Sequence, residues 1–272
     1  MIRVQGKEVI INHFPDGTLH IELDDFYPGF SMDEVSIMWN YEKEEELSAL
    51  IYVTYHLREA GYTHIELLMP YLPNARMDRH VRANEVFTLK YFASVINSLN
   101  FASVEILDPH SYVGEALFNN LIVVQPRVFI DMTINKITDN NLCVFFPDNG
   151  AYKRYSDMVK GIKVKDVFYG LKNRDWDSGE ILGLDVIGDK EKLKGKNVLI
   201  IDDICSRGGT FYHSAKKLKE LGADKIYLYV SHCENTILEG DLLNGDLIEK
   251  VFTTNSIFTK EHEKITVMEV EV

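Results

Sequence analysis

The stretch NVLIIDDICSRGGT, residues 197–210, decides the fold of this chain. Residues 197–202 form a continuous apolar run that ends in an acid, which is typical of a strand buried in a parallel sheet. Two carboxylates, Asp202 and Asp203, leave this strand, and a glycine-rich turn then leads into residues 211–222, whose apolar side chains recur at helical spacing. The order of strand, turn and helix predicts an α/β fold.

The same alternation extends over both halves of the chain. Apolar runs predict further strands at residues 65–71, 102–108, 142–146 and 225–230, and helical periodicity predicts helices at residues 45–60 and 86–99. Strands that alternate with helices form mostly parallel sheets with right-handed crossovers. The rhythm breaks near residues 120–130. We therefore expect two similar, doubly wound α/β domains, residues 1–125 and 126–272.

Composition excludes several classes of protein. The net charge of −13 over 272 residues argues against general nucleic-acid binding, which needs a basic face. Three cysteines, widely spaced and without a C-x-x-C pair, argue against a disulfide framework or a structural zinc site. The sequence has neither an apolar run of membrane-span length nor a signal-peptide pattern, so we expect a cytoplasmic protein without a membrane partner.

The turn after the central strand has the composition of a phosphate cradle. In open α/β sheets, ligands bind beyond the carboxyl ends of the strands. Glycines let backbone N–H groups converge on an anion, and the helix N-terminus adds partial positive charge. Asp202 and Asp203 can accept ribose hydroxyls, and the turn can hold a phosphate through Ser206, Arg207, Gly208, Gly209 and Thr210. The alternative is a plain glycine-rich turn capped by the acidic pair.

Two other strand ends carry candidate metal ligands. After residue 146 the sequence reads PDNGAYKR, in which Asp148 suits Mg²⁺ and Gly150 permits close approach of a phosphate. The same residues also make an ordinary turn. Asp108-Pro109-His110 ends another strand, and His110 is either a metal ligand or a hydrogen-bonded loop histidine.

Cations cluster in two polar segments of this acidic chain. PYLPNARMDRH, residues 70–80, places Arg76 and Arg79 after a strand, and arginine is well suited to clamp polyphosphate. Lys172-Asn173-Arg174 lies in a polar stretch without strand or helix period, which predicts a loop whose cations could cover a pyrophosphate group during its transfer. The alternative for both segments is a solvated surface loop.

Taken in order, these segments resemble the motifs of the ribose-phosphate pyrophosphokinases, also called phosphoribosyl pyrophosphate synthetases. Phe14-Pro15-Asp16-Gly17 is similar to the family's adenine-side F-S-D/N-G/Q, and residues 70–80 to P-Y-x-x-Y-A-R-Q-D-R. The segment DPH is similar to the family's D-L-H, and PDNGAYKR is similar to P-D-x-G-G-x-x-R. The segment LKNR is similar to D-K-R-R, and the turn after Asp202-Asp203 is similar to the phosphoribosyl-binding motif. The resemblance covers about residues 14–255.

The resemblance implies a type I phosphoribosyltransferase-like fold and Mg²⁺-dependent transfer of pyrophosphate from ATP to the anomeric hydroxyl of a phosphorylated ribose, in a homodimer or larger homo-oligomer. It implies catalytic cations at Lys172 and Arg174, and Mg²⁺ on His110 and Asp148. Its ATP site comprises Phe14, Asp16, Arg76, Met77, Asp78 and His110. Its pyrophosphate loop comprises Asp148, Asn149, Gly150 and Ala151. Its sugar site comprises Asp202, Asp203 and residues 206–210.

Departures from the family motifs leave the acceptor sugar open. The family's 5′-phosphate loop is usually D-T-x-G-T, whereas this chain has Ser206 and Arg207 at the first two positions. The added positive charge makes ADP-ribose, and with it NAD metabolism, an alternative to ribose 5-phosphate. Met77 and Thr18 replace family residues on the adenine side, and the first strand and helix of typical members are expected to be absent.

Two other classes of function use part of the same pattern. A phosphoribosyltransferase has the acidic pair and the turn, but it does not need Arg76, His110 or the Lys172 segment. A catalytically silent regulatory relative has no reason to keep Lys172, Arg174, His110 and Asp148 together.

Overall fold

A computed structural model of the chain describes residues 1–23, 34–80, 82–137, 141–160, 164, 166–174 and 181–270. The chain divides into two units, Met1–Gln125 and Pro126–Val270, each built on its own sheet. Both sheets are mostly parallel and helices connect their strands, so the predicted α/β fold class is confirmed. Within the described part of the chain, no helix is both long enough and apolar enough to cross a membrane.

The described residues of the first unit form eight strands and three helices. The strands are β1 (Ile2–Val4), β2 (Lys7–Glu8), β3 (Ile10–His13), β4 (Leu19–Glu22), β5 (Glu34–Trp39), β6 (His64–Leu68), β7 (Ser103–Leu107) and β8 (Leu121–Val124). The helices are α1 (Glu46–Glu59), α2 (Thr88–Ser98) and α3 (Tyr112–Leu117). Six strands form one sheet in the order β2-β1-β5-β6-β7-β8, parallel from β5 to β8, and β3 and β4 form a separate hairpin.

In the second unit the described part of the chain forms the α-helices α4 (Arg127–Ile137), α5 (Asn149–Tyr155) and α6 (Gly209–Glu220). Its strands are β9 (Leu142–Phe146), β10 (Val167–Arg174), β11 (Ile181–Ile187), β12 (Asn197–Cys205), β13 (Ile226–Cys233), β14 (Lys250–Thr254) and β15 (Ile265–Met268). They form one sheet in the order β11-β10-β9-β12-β13-β14-β15, in which only the β10–β11 pairing is antiparallel. Every residue of β9 is buried, as expected of a strand covered on both faces.

Two local predictions from the sequence are wrong. The loop predicted to start after Ile201 starts later, because β12 continues to Cys205 and stays paired with β13 as far as the Cys205–Cys233 register position. The segment around Lys172 is not an irregular loop as far as Arg174, because β10 pairs antiparallel with β11 there. Strand pairing through the backbone near a sheet edge does not need apolar side chains at a regular spacing. The polar sequence therefore gave no sign of this strand. Residues 175–180 of the same segment lie outside the described residues.

The carboxylate of Glu46, only 2% exposed, anchors the start of helix α1. Its Oε2 accepts a hydrogen bond from the indole Nε1 of buried Trp39 at 3.0 Å and another from the backbone N–H of Glu42 at 2.9 Å. Trp39 ends β5, so this carboxylate fastens the first helix of the unit to its central strands. Without it, a buried donor would lose its partner.

We expect Glu46→Ala to lower the free energy of unfolding of the first unit by about 1–3 kcal/mol, because the Trp39 indole N–H would be buried unsatisfied. The measurement is urea unfolding followed by Trp39 fluorescence in a Trp176→Phe background, which leaves Trp39 as the sole tryptophan. Glu59→Ala is the matched control, since Glu59 is exposed at the other end of α1. Equal effects of the two substitutions would contradict an anchoring role for Glu46.

Candidate active site

The turn between β12 and α6 is held by close backbone approaches that only glycine permits. Gly208 has a positive φ of 80°, and a Cβ there would lie 2.9 Å from Leu242. A Cβ on Gly240 would lie 1.9 Å from the carbonyl oxygen of Arg207. Helix α6 begins at Gly209 without a side-chain cap. The first N–H groups of this 12-residue helix are therefore available to an anion.

Arg207 lies on this turn with its side chain 73% exposed. Its Nη2 is 3.0 Å from Oε2 of Glu239, whose side chain is 59% exposed. The sequence left open whether this arginine faces solvent, pairs with a carboxylate or meets a ligand, and the structure has it paired. An ion pair this exposed stabilises by about 1 kcal/mol or less, so another anion can replace Glu239 at little cost.

The acidic pair Asp202-Asp203 lies within strand β12, so the two side chains leave opposite faces of the sheet. Asp202 is half-buried, and its Oδ1 accepts a hydrogen bond from the backbone N–H of Asp203 at 3.0 Å. Asp203 is 6% exposed, and its Oδ2 lies 3.4 Å from Nη1 of Arg154 on α5. The two carboxylates therefore have different surroundings, which the sequence did not predict.

The PDNG segment forms the start of helix α5. Asp148 is the N-cap, and its Oδ1 accepts a hydrogen bond from the backbone N–H of Ala151 at 3.0 Å. Asn149 and Gly150 are exposed, whereas Ala151 is buried. A Cβ on Gly150 would lie 3.1 Å from the Asp148 carboxylate, so a side chain there would crowd the cap.

The register of the second sheet aligns these segments. Phe146 at the end of β9 pairs with Tyr169 of β10, and Phe145 pairs with Ile200 of β12. Asp148 follows Phe146 by two residues, Lys172 follows Tyr169 by three, and Asp203 follows Ile200 by three. Because these strands are parallel, all three positions lie past the carboxyl end of β9, Lys172 and Asp203 still within β10 and β12 and Asp148 just after β9. Arg174 is the last described residue of β10.

In the first unit, Asp78 joins two of the predicted motifs. Its carboxylate is buried and accepts two hydrogen bonds from the Arg79 guanidinium, one from Nε at 2.7 Å and one from Nη2 at 3.0 Å. This guanidinium lowers the pKa of the Asp78 carboxyl, and hydrogen bonding to Ser111 and the charge of His110 lower it further. The contacts connect the segment after β6 to the loop after β7, at neighbouring strand ends.

The remaining predicted residues of the ATP site lie in two places. Arg76 is exposed, Met77 is half-buried and His110 is exposed, all after the carboxyl ends of β6 and β7. Phe14 and Asp16 lie on the tip of the separate β3–β4 hairpin, where the Phe14 side chain is 51% exposed. Asp16 Oδ1 accepts hydrogen bonds from Thr18 Oγ1 at 2.7 Å and Thr18 N at 3.0 Å, and these bonds lower the pKa of its carboxyl.

Sequence reasoning missed three side chains that support these segments. They are Arg154 beside Asp203, Ser111 beside Asp78 and Glu239 beside Arg207. Arg154 stood at the end of the PDNGAYKR segment, so the sequence contained a signal for it. Ser111 had only the local signal of a serine before a helix, whose N-cap it is. Glu239 is 32 residues from its partner and had no signal in the sequence.

Comparisons with known proteins extend over nearly the whole chain. Residues 177–271 match the family model of the phosphoribosyl synthetase-associated domain. The chain is 28% identical over 264 residues to ribose-phosphate pyrophosphokinase 1 of Listeria innocua, covering 95% of this chain and 80% of that protein. It is also 28% identical over 257 residues to ribose-phosphate pyrophosphokinase of Thermococcus kodakarensis, covering 93% of this chain and 86% of that protein.

A solved structure shares the fold. The crystal structure of phosphoribosylpyrophosphate synthetase from Mycobacterium smegmatis superposes with a TM-score of 0.75 at 18% identity, covering 96% of this chain and 86% of that one. The fold and the similarity over nearly the full length agree with the motifs at the strand ends. Over nearly its full length this chain is similar in sequence to ribose-phosphate pyrophosphokinases, and it shares the fold of a phosphoribosylpyrophosphate synthetase.

Proposed function

We propose that the protein transfers the terminal pyrophosphoryl group of ATP to the anomeric hydroxyl of a 5-phosphorylated ribose. The anomeric oxygen forms a bond to the β-phosphorus of ATP, the bond from that phosphorus to the α,β-bridging oxygen breaks, and AMP leaves. The hydroxyl proton passes to solvent. The observation that supports the proposal is the parallel register of β9, β10 and β12, which aligns the backbone of Asp148, Lys172 and the start of the Asp202–Thr210 segment past the carboxyl end of β9.

Each of these segments has a role that its chemistry supports. The glycine turn and the uncapped first N–H groups of α6 receive the 5′-phosphate. Of the acidic pair, Asp203, on the face of the sheet that carries Arg154, accepts a hydrogen bond from a ribose hydroxyl, and the loop Asp148–Ala151 borders the pyrophosphate. Lys172 and Arg174, in the last part of β10, stabilise the negative charge of the pyrophosphoryl group during its transfer. Phosphoryl transfer depends mainly on such positioning and charge neutralisation.

The segments of the first unit bind ATP in this proposal. Phe14 offers an exposed ring to the adenine, and Arg76 offers an exposed guanidinium to the phosphates. Asp16, Met77 and His110 complete the nucleotide site. Asp78 is buried, so it supports that site by orienting Arg79 and the Ser111 loop. The family resemblance underlies these assignments.

Magnesium is the metal that the resemblance implies. Among the described residues, no group of three or more His, Cys, Asp or Glu side chains converges as a metal site. Mg²⁺ usually binds one or two carboxylates together with substrate phosphates and water, so a sparse protein contribution fits this ion. Asp148, half-buried at a strand end, fits as its carboxylate, and His110 fits less well because Mg²⁺ prefers oxygen. The ion would neutralise phosphate charge when bound.

Ribose 5-phosphate is the acceptor that the relatives' names favour, and ADP-ribose is the second candidate. Arg207 favours the second, because its exposed pair with Glu239 can open and present a guanidinium fork to a further phosphate. A phosphoribosyltransferase would share the glycine turn but would not use ATP. A homo-oligomer stays a prediction from the resemblance.

We expect the wild-type protein, incubated with ATP, Mg²⁺ and either ribose 5-phosphate or ADP-ribose, to release AMP and a ribose 1-diphosphate. The measurement is chromatographic separation of AMP from ADP together with phosphorus NMR of the sugar product. ADP with a monophosphorylated sugar would contradict the proposed reaction. If neither of the two sugars supports the release of AMP, the result would favour a catalytically silent relative.

The choice of sugar is tested in the same assay with Arg207→Thr. If Arg207 contacts the 5′ substituent, the ratio of kcat/KM for ADP-ribose to that for ribose 5-phosphate falls by about tenfold, the worth of one charge-assisted hydrogen bond. Glu239→Gln is the matched control, because it releases Arg207 from its pair while retaining the guanidinium. A ratio that Arg207→Thr leaves unchanged would favour ribose 5-phosphate.

We expect Lys172→Ala to lower kcat by about a hundredfold or more while changing the KM for ATP little. A cation that meets the pyrophosphoryl group mainly in the transition state contributes to kcat rather than to ground-state binding. Steady-state kinetics with the better of the two sugars provides the measurement. Lys216→Ala is the control, since Lys216 is exposed in the middle of α6. Near-normal turnover of the Lys172 variant would instead favour the interpretation of this segment as a solvated surface without a role in catalysis.

We expect activity to vanish with a chelator and to return with added Mg²⁺. Asp148→Asn should raise the Mg²⁺ concentration needed for half-maximal rate several-fold, because asparagine preserves the helix cap and removes the charge. His110→Ala tests the second predicted ligand in the same titration. Unchanged Mg²⁺ dependence in both variants would exclude these side chains from the metal site.

A further inference from the structure

A partly buried ion pair joins helix α5 to the acidic strand end of β12. The Arg154 and Asp203 side chains are 15% and 9% exposed, and Nη1 lies 3.4 Å from Oδ2. In contrast, Lys225 and Glu249 of the same unit are 49% and 48% exposed. An exposed pair contributes little to stability, whereas a buried charge that loses its partner is strongly unfavourable. The Arg154–Asp203 contact therefore matters more to its two charges than the Lys225–Glu249 contact does to its own.

The strand period explains why Asp203 meets α5. Leu199 and Ile201 share the face of Asp203 by the two-residue repeat of a strand, and both are fully buried. Tyr155, the neighbour of Arg154 on α5, is fully buried as well. Asp203 thus leaves β12 on a packed face, where its carboxylate has little room to reorient. The Arg154 guanidinium lies beside it on this face.

The geometry of the contact also matters for a ligand. Close charge-assisted hydrogen bonds between nitrogen and oxygen are about 2.7–2.9 Å long. The Arg154–Asp203 contact is longer, at 3.4 Å. A contact of this length orients a carboxylate by its charge more than by a tight hydrogen bond. The carboxylate can therefore accept a hydrogen bond from a sugar hydroxyl while Arg154 stays beside it.

We propose that Arg154 is a positioning residue for the acceptor sugar, because it orients the buried Asp203 carboxylate toward a ribose hydroxyl. This inference rests on the proposed function, in which Asp203 binds the ribose. Arg154 acts through Asp203 and contacts neither ATP nor the reacting atoms. Its removal therefore weakens sugar binding without weakening ATP binding.

The experiment measures the KM for the sugar and for ATP in Arg154→Met, with the sugar that supports AMP release in the wild type. We expect the sugar KM to rise by about tenfold to a hundredfold, since a hydrogen bond to a charged group is lost or misdirected, and the ATP KM to stay unchanged. Lys225→Met, at the amino end of β13 and thus at the opposite edge of the sheet, is the matched control and should change neither value.

Arg154→Lys and Asp203→Asn separate positioning from general stability. Arg154→Lys retains the charge without the planar fork, so its sugar KM should lie between those of the wild type and Arg154→Met. If Arg154 acts through Asp203, Arg154→Met should add almost nothing to the sugar KM of Asp203→Asn. Multiplicative effects of the two substitutions would overturn the inference. If Arg154→Met fails to fold, Arg154→Lys is tested in its place. A raised sugar KM with an unchanged ATP KM in that variant would then support the inference.

The proposed function and the positioning role fail in different ways. A wild type that releases no AMP with either sugar overturns the proposed function, and the positioning role falls with it. A wild type that releases AMP, with a normal sugar KM in the folded Arg154 variants, overturns the positioning role alone. A fall in kcat with both KM values unchanged also overturns it, because that pattern indicates a smaller fraction of folded enzyme.

Discussion

The parallel register of β9, β10 and β12 is the constraint on which the candidate site of the second unit depends. Backbone hydrogen bonds align Phe146 with Tyr169 and Phe145 with Ile200. The chain positions that follow by two or three residues therefore lie past the carboxyl end of β9 in all three cases. This register aligns the backbone of Asp148, Lys172 and Asp203, although 55 residues of sequence separate Asp148 from Asp203. A shift of one strand by a single residue would move its side chains to the other face.

Backbone proximity is the second constraint, and it accounts for the unusual turn before α6. The chain near Gly240 passes so close to the carbonyl of Arg207 that a Cβ would clash at 1.9 Å. Gly208 meets Leu242 at the same place. The turn is thus fixed by its backbone, and the side chains at Ser206 and Arg207 can change without altering its path.

Local sequence was enough for the elements with a strong period. Helix α1 was expected at residues 45–60 and spans Glu46–Glu59, and β9 was expected at residues 142–146 and spans Leu142–Phe146. The apolar side chains of α1 recur at helical spacing, and β9 is a continuous apolar run that is buried throughout. The extension of β12 to Cys205 and the β10–β11 hairpin were missed, because pairing with a neighbouring strand decided them. Acidic and basic residues do not favour strands on their own, and a sheet edge accepts them.

The sequence by itself determined the α/β class, the order of the motifs along the chain and the residue types available for phosphate and ribose. These follow from local periodicity and from the chemistry of single side chains. Only the tertiary structure decided which charges neutralise each other: Arg79 with Asp78, Arg154 with Asp203 and Arg207 with Glu239. The last two pairs span 49 and 32 residues of sequence. Such pairs depend on distance and burial after folding, which no local pattern of the sequence encodes.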